Sequence, residues 1–107
     1  MNIEKKMRYN FSKRVWELTK KIPKGKVSTY KEIAKAIGTK AYRAIGNALK
    51  KNPYPIRIPC HRVVCSDGSL GGYKGKTNNK EKKRLLEKEG IKIEKNKINL
   101  KKYLYRF

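Results

Sequence analysis

The sequence predicts a mainly α-helical domain with a small β wing. Its class would be a winged helix-turn-helix, a three-helical DNA-binding bundle, with an additional C-terminal helix. Apolar residues recur at helical spacing in three successive segments of the first half of the chain. Gly38 separates the second segment from the third, as in helix-turn-helix units. Asp67-Gly68 then follows a short apolar run, which is a typical signal for a hairpin turn.

The first helix is predicted from an apolar stripe with Trp16 beside it. The stripe consists of Phe11, Val15, Leu18 and Ile22. Pro23-Lys24-Gly25 comes next and should end the helix and turn the chain, because proline and glycine break regular structure most strongly.

The second helix has signals at both of its ends. Thr29 is followed three residues later by Glu32, a capping-box pattern in which Thr29 caps the helix and Glu32 reaches back. Gly38 suits the left-handed conformation just beyond the last turn. The residues expected to face the core are Ile33, Ala34 and Ile37.

The third helix is predicted to start after Thr39 as its N-cap and to end at Asn52-Pro53-Tyr54-Pro55. Its inner face would consist of Ala44, Ile45, Ala48 and Leu49. Its outer face would present Tyr42, Arg43, Asn47, Lys50 and Lys51. Such side chains can bond phosphates, stack on bases or enter a groove, and the alternative is an ordinary solvated polar face.

The wing is predicted as a hairpin in which Val63–Cys65 pairs with Leu70–Gly72 across a turn at residues 66–69. A fourth helix would follow Asn78-Asn79, run through Leu85-Leu86 and end at Gly90. The wing would therefore lie between the helix-turn-helix and this last long helix.

The C-terminal residues have weaker signals. Ile91 and Ile93 alternate with polar residues, as in a strand, and a short amphipathic helix is predicted further on. The residues that predict this helix are Leu100, Tyr103, Leu104 and Phe107. We expect one domain over residues 1–107, with residues 91–107 as a C-terminal extension.

The composition narrows the class of partner. The 107 residues include 30 basic and 8 acidic side chains, a net charge of +22, which favours a polyanionic partner, although part of the lysine excess could be merely solubilising. Two cysteines are too few for a disulfide-dense secreted scaffold or an all-cysteine zinc site. With no apolar stretch of about twenty residues and no secretory signal, we expect a cytoplasmic monomer without membrane contact, associated with the nucleoid if prokaryotic.

Cys60 and His61 are the residues with reactive chemistry. Cysteine attacks as the thiolate, and an adjacent imidazole can accept the thiol proton, directly or through a water. Three other interpretations stay open from the residues alone. They are a structural buried pair, a metal site that adds Cys65 but lacks a fourth ligand, and a Cys60–Cys65 disulfide, which would be unusual in a reducing cell.

The run Pro59-Cys60-His61-Arg62-Val63-Val64 resembles the signature of the alkylguanine–DNA alkyltransferases, also called methylated-DNA–protein-cysteine methyltransferases. Further segments match the family in the same order along nearly the whole chain. They are Val15-Trp16, Ile22-Pro23-Lys24-Gly25, Ser28-Thr29-Tyr30, Arg43-Ala44-Ile45-Gly46, Asn52-Pro53, Gly71-Gly72-Tyr73 and Leu85-Leu86-Glu87-Lys88-Glu89-Gly90. This ordered set makes the resemblance specific.

The resemblance implies DNA repair by direct reversal, in a reaction that each molecule performs once. Cys60 would take the alkyl group from the 6-oxygen of a guanine flipped out of duplex DNA and would end as a thioether. His61 would activate Cys60 through a water, and Glu89 would orient His61. Tyr30 would donate a proton to the leaving base. No cofactor and no metal ion is expected.

The resemblance also implies how double-stranded DNA is held. The base pocket would be formed by Val63, Tyr73, Lys74 and Asn52, and the backbone carbonyls of Cys60 and Val63 would bind the exocyclic amine. Arg43 would enter the base stack in place of the extruded nucleotide, and the helix-turn-helix would lie in the minor groove. The residues expected at the DNA are Arg43, Tyr42, Ala44, Gly46, Asn47, Thr29 and Lys50.

The sequence departs from the family pattern in three places. Lys74, Lys76 and Thr77 stand where serine, glycine and leucine are common. Ten residues precede Phe11, so we expect the family's N-terminal domain to be absent. Residues 100–107 do not map onto the family, and we hypothesise that they cover apolar surface which that domain would otherwise protect.

Two other functions stay open. Alkyltransferase-like proteins of similar length bind the same lesion and pass it to other repair machinery, but they carry another residue in place of the cysteine. A sequence-neutral architectural DNA-binding protein would use the positive charge alone.

Overall fold

The computed structural model describes residues 3–73 and 79–107, and within them it has five α-helices and four short strands. The helices are α1 (Ile3–Lys20), α2 (Tyr30–Ile37), α3 (Tyr42–Lys50), α4 (Lys80–Lys88) and α5 (Leu100–Tyr103). The strands are β1 (Ser28–Thr29), β2 (Val63–Val64), β3 (Ile93–Glu94) and β4 (Lys97–Ile98), and a 3₁₀ turn forms at Cys60–Arg62. The predicted class is confirmed: the protein is mainly helical, with small sheets and a helix-turn-helix. No helix in the described ranges combines the length and apolarity needed to cross a membrane.

Helices α1, α2 and α3 pack into the predicted bundle. The residues buried among them include Val15, Ile22, Ile33, Ala34, Ile45, Ala48 and Leu49. Trp16 adds a polar contact between α1 and α3, because its indole Nε1–H donates to the Ala48 carbonyl at 2.8 Å. The bundle therefore holds α3 in place and leaves its outer face exposed to solvent.

The cap residues at both ends of α2 are those that the sequence predicts, whereas the Glu32 carboxylate lies 3.9 Å from the Arg106 side chain. The Thr29 hydroxyl accepts the Glu32 amide hydrogen at 3.0 Å, and Gly38 has a φ of +86° in the left-handed region. The start of α3 differs from the prediction. Its N-cap is Ala41, and the Thr39 hydroxyl instead accepts the Ala41 amide hydrogen at 3.1 Å. Thr39 thus stabilises the turn between the helices, and α3 begins after that turn.

The predicted wing hairpin is wrong in its pairing. The tight turn exists, since the Gly68 amide donates to the Cys65 carbonyl and the Cys65 amide to the Ser69 carbonyl, both at 2.9 Å. However, β2 pairs in parallel with β1, not with residues 70–72. Both residues of β2 are buried, and two buried faces are typical of a strand inside a parallel sheet rather than of a solvated wing.

Strands β3 and β4 form an antiparallel hairpin in the extension. Its turn residues, Lys95 and Asn96, have φ angles of 52° and 60°, as a two-residue type I′ turn requires. The C-terminal helix is confirmed but is one turn long, because the chain becomes extended at Leu104 and forms a parallel bridge with Val27. The extension therefore packs against the strand that precedes α2.

Candidate active site

The 3₁₀ turn at Cys60–Arg62 presents the reactive pair of residues. The Cys60 amide donates to the Ile58 carbonyl at 2.7 Å and the Arg62 amide to the Pro59 carbonyl at 2.9 Å. Asn52, which follows α3, fastens the approach to this turn. Its side-chain amide nitrogen donates to the Ile58 carbonyl at 2.8 Å. The end of α3 and the cysteine turn are thus joined by a side chain as well as by the backbone.

His61 and Glu89 are joined directly, although 28 residues separate them. The imidazole is 1% exposed, and its Nε2–H donates to Glu89 Oε2 at 3.0 Å. Arg62 binds the same carboxylate twice, through Nε at 2.9 Å and Nη2 at 2.7 Å, and donates to the Ile22 carbonyl at 2.8 Å. Glu89 caps the C-terminus of α4, where a negative charge is disfavoured, so the guanidinium offsets an unfavourable position.

The electrostatics of this network favour a neutral imidazole beside an ionised carboxylate. Burial lowers the pKa of His61 and outweighs the opposing effect of Glu89, while the charges of Arg62 and Lys82 lower it further. Burial alone would raise the pKa of Glu89, but the hydrogen bonds from Arg62 and His61 hold it below its usual range. With Nε2 donating to Glu89, the other ring nitrogen, Nδ1, has its lone pair available to accept a proton.

Cys60 lies at the edge of a cleft of about 130 Å³. The cleft is lined by Tyr30, Gly46, Leu49, Lys50, Cys60, Gly72 and Tyr73. Cys60 is 8% exposed, and both cysteines are free thiols, so no Cys60–Cys65 disulfide is formed. Burial and the nearby thiols raise the pKa of Tyr30 to about 12. Burial, together with the nearby Cys60 and Glu81, raises the pKa of Tyr73 to about 12. Both phenols therefore keep their protons at neutral pH.

Lys82 is the one fully buried lysine among the side chains that the structure describes. Its ammonium donates to the Val63 carbonyl at 2.6 Å and to the Gly72 carbonyl at 3.1 Å. Burial lowers its pKa to about 8, although Cys65 and Cys60 act in the opposite direction. The lysine joins α4 to β2 and to Gly72, which lines the cleft.

Comparison with known proteins identifies the family. Residues 10–91 match the model of the family described as "6-O-methylguanine DNA methyltransferase, DNA binding domain". The chain belongs to this family. The methylated-DNA–protein-cysteine methyltransferase of Thermococcus kodakarensis is 53% identical over 83 residues, which are 77% of this chain and 45% of the relative. The chain thus spans about half the length of the curated relatives that it matches.

Among the similar solved structures that contain DNA are two that cover this chain to different extents. The Mycobacterium tuberculosis OGT in complex with DNA has a TM-score of 0.68 at 46% identity, over 74% of this chain and 48% of its own. S. pombe Atl1, in complex with damaged DNA containing O6-carboxymethylguanine, has a TM-score of 0.82 at 31% identity and covers 100% of both chains. Atl1 is therefore similar over the C-terminal extension as well.

The residues that the family resemblance assigns to DNA contact fall into two groups. On α3 the exposed residues are Tyr42, Arg43, Asn47 and Lys50, and the half-buried residues are Ala44 and Gly46. Thr29 differs from both groups, because it is 3% exposed and its hydroxyl caps α2, and its contact with DNA stays a prediction. Lys74, expected in the base pocket, lies outside the described residues, as do Lys76, Thr77 and Asn78.

Of the residues predicted to form the base pocket, Tyr73 lines the cleft, whereas Val63 and Asn52 are not among its lining residues. The Cys60 carbonyl accepts the Val63 amide hydrogen, and the Val63 carbonyl accepts from Lys82. Each oxygen has a second lone pair, so either could also accept a hydrogen bond from a base.

Sequence reasoning did not select Arg62 or Lys82 as site residues. A signal for Lys82 was present, because Lys82, Leu86 and Glu89 are spaced by four and three residues and so share one face of α4. Arg62 had no such signal, since its partner Glu89 lies 27 residues away.

Proposed function

We propose that the protein is a single-turnover methyltransferase that moves the alkyl group from the 6-oxygen of a guanine in duplex DNA to Cys60. The Cys60 thiolate attacks the alkyl carbon, the carbon–oxygen bond breaks, and its electron pair stays on the guanine. Tyr30 donates its phenolic proton to the leaving base, and a thioether is left on the sulfur. Because no second step removes the alkyl group, each chain acts once.

One observation supports this proposal above the others. Cys60 lines an accessible cleft with Tyr30 and Tyr73, while the adjacent His61 is held by Glu89. A merely structural cysteine–histidine pair needs neither a cleft nor a carboxylate that fixes the imidazole. The curated relatives at about half identity are methylated-DNA–protein-cysteine methyltransferases, which is the same chemistry.

The proton of Cys60 would leave through His61. Because Nε2 of the imidazole faces Glu89, Nδ1 is the atom that would accept the proton, through a water. A neutral imidazole is required for this step, and burial favours that form. The Glu89 carboxylate would then stabilise the imidazolium that results.

The outer face of α3 would bind the DNA in the minor groove. Arg43 is exposed at its first turn and would fill the stack after base extrusion, which costs a few kcal/mol. Ala44 and Gly46 would allow the backbones to approach closely. Because the net charge is +22, binding would release counterions condensed on the DNA. This contribution to affinity would be largely independent of DNA sequence.

A lesion sensor is the second candidate function. It is favoured by the match to Atl1, which extends over the whole of both chains and whose structure contains damaged DNA. In that case the protein would bind alkylated guanine in the same cleft without transferring the alkyl group. The presence of Cys60 leads us to prefer transfer.

Incubation with a duplex whose alkylated guanine carries a labelled methyl group separates these functions. Transfer predicts one labelled methyl per chain for the wild type and for Cys65→Ala, and none for Cys60→Ala, which should still bind the lesion. Lesion-selective binding with no labelled protein would instead support the sensor. Equal affinity for damaged and undamaged duplexes, without labelling, would contradict both and leave an architectural DNA-binding protein.

A further inference from the structure

The strand that leads into α2 is held on both sides. On one side, Ser28 and Thr29 of β1 pair with Val63 and Val64 of β2. On the other, the Val27 amide donates to the Tyr103 carbonyl at 3.0 Å, and the Tyr105 amide donates to the Val27 carbonyl at 2.7 Å. The C-terminal segment, residues 103–107, therefore lies beside this strand, with Leu104 in a parallel bridge to Val27.

This strand connects the two sides of the active-site cleft. It runs directly into α2, whose first residue is Tyr30. Its other neighbour, β2, begins immediately after the turn that carries Cys60. Because Tyr30 follows residues 27–29 directly in the chain, the position of this strand helps to set the position of the Tyr30 phenol in the cleft.

Side chains strengthen the contact of the C-terminal segment. The Ser28 hydroxyl, which is fully buried, donates to the Tyr105 carbonyl at 2.9 Å. The Tyr105 ring packs against the buried cluster that contains Cys60. Arg106 Nε lies 3.9 Å from Oε1 of Glu32, which is in the first turn of α2. The segment thus contacts the strand, the helix and the cluster that together position Tyr30.

We propose that the C-terminal segment positions Tyr30. Through this positioning the segment sets the rate of alkyl transfer rather than the affinity for DNA. This inference depends on the transfer function proposed above. The family model ends at residue 91, so the segment lies outside the part that defines the family. Its effect should be large, because a misplacement of about 1 Å in a catalytic group can slow a reaction about a hundredfold.

The test compares Tyr105→Pro with Tyr105→Ala in the full chain. Both variants lose the ring, but only proline also removes the amide hydrogen that Val27 accepts. Leu104 already has φ −68° and ψ 128°, which suits a residue before proline. We expect single-turnover methyl transfer to be about tenfold slower for the proline variant than for the alanine variant, with equal affinity for methylated duplex.

A second comparison shows whether the effect acts through Tyr30. In a Tyr30→Phe background, the proline and alanine variants should transfer at the same rate, because the hydroxyl that the segment positions is gone. A proline effect that persists in this background would overturn the proposal. Equal rates for the two variants in the Tyr30 protein would also overturn it.

Ser28→Ala provides a version of the test that leaves the backbone unchanged. It removes the hydroxyl that donates to Tyr105 and should slow transfer about threefold, again only when Tyr30 is present. Wild-type protein that transfers no methyl group would refute the proposed function itself. Active wild type with an unaffected Ser28→Ala variant would refute only the positioning role.

Discussion

Replacing Lys82 by methionine tests the electrostatics of the site, because this lysine is fully buried and its pKa falls from 10.5 to about 8. One pKa unit corresponds to about 1.4 kcal/mol, so keeping the ammonium charged in the folded protein costs about 3 kcal/mol at neutral pH. Since the folded-state pKa lies below the unfolded-state value, the unfolded chain holds more protons between about pH 8 and 10.5. The lysine's contribution to the free energy of unfolding therefore rises with pH across that window.

Urea unfolding followed by Trp16 fluorescence measures this effect. Trp16 lies on α1 and donates a hydrogen bond to the Ala48 carbonyl of α3, so its fluorescence should change when the bundle unfolds. Between pH 7 and pH 10, the wild type should gain about 2 kcal/mol of stability relative to Lys82→Met. If the difference in the free energy of unfolding between the wild type and Lys82→Met does not change with pH, the lowered pKa of a buried Lys82 is refuted.

Three further predictions concern the site, the extension and the charge. Glu89→Gln removes the carboxylate that Arg62 binds twice, so the free energy of unfolding should fall by about 3 kcal/mol and methyl transfer should slow; unchanged values would contradict the network. Gly68→Ala places a Cβ 2.5 Å from the Ile98 carbonyl oxygen, so Tm should fall further than in Gly38→Ala, which has a similar φ but no neighbour within 4 Å. Equal losses would argue against that contact. Affinity for undamaged duplex should fall steeply with salt, with a log–log slope of about −0.9 per neutralised phosphate, whereas a flat anisotropy titration would contradict the charge argument.

The elements that could be predicted from the sequence are those with local signals. Thr29 caps α2, and Gly38 adopts the left-handed conformation after it, because both interactions involve residues a few positions apart. Thr39 has the right side chain for a cap, but its hydroxyl accepts the Ala41 amide hydrogen within the turn. The N-cap therefore moves to Ala41.

The strand pairing could not be predicted in the same way. Asp67-Gly68 correctly indicates a turn, but a turn does not specify the partner of Val63–Val64. That partner is Ser28–Thr29, which lies 35 residues earlier and forms a parallel pair that needs the whole bundle in place. The short β1 has no hydrophobic alternation by which it could be recognised.

The site shows the same division between local and distant contacts. The adjacency of Cys60 and His61 is visible in the sequence, and chemistry alone makes it a candidate pair. Glu89 was expected only from the family resemblance, because 28 residues separate it from His61. Lys82 has no such signal for its burial, because a lysine on a helix is usually solvated, and that burial depends on the carbonyls of Val63 in β2 and of Gly72.

Peptide mass spectrometry after reaction with an O6-methylguanine duplex tests the central claim most directly. Trypsin cleaves after Arg62 and so places Cys60 and Cys65 on different peptides. We predict a gain of one methylene unit on the Cys60 peptide, at one per chain, with the Cys65 peptide unchanged. An unmodified Cys60 peptide after the duplex has been bound, or a methyl group on Cys65, would contradict the account.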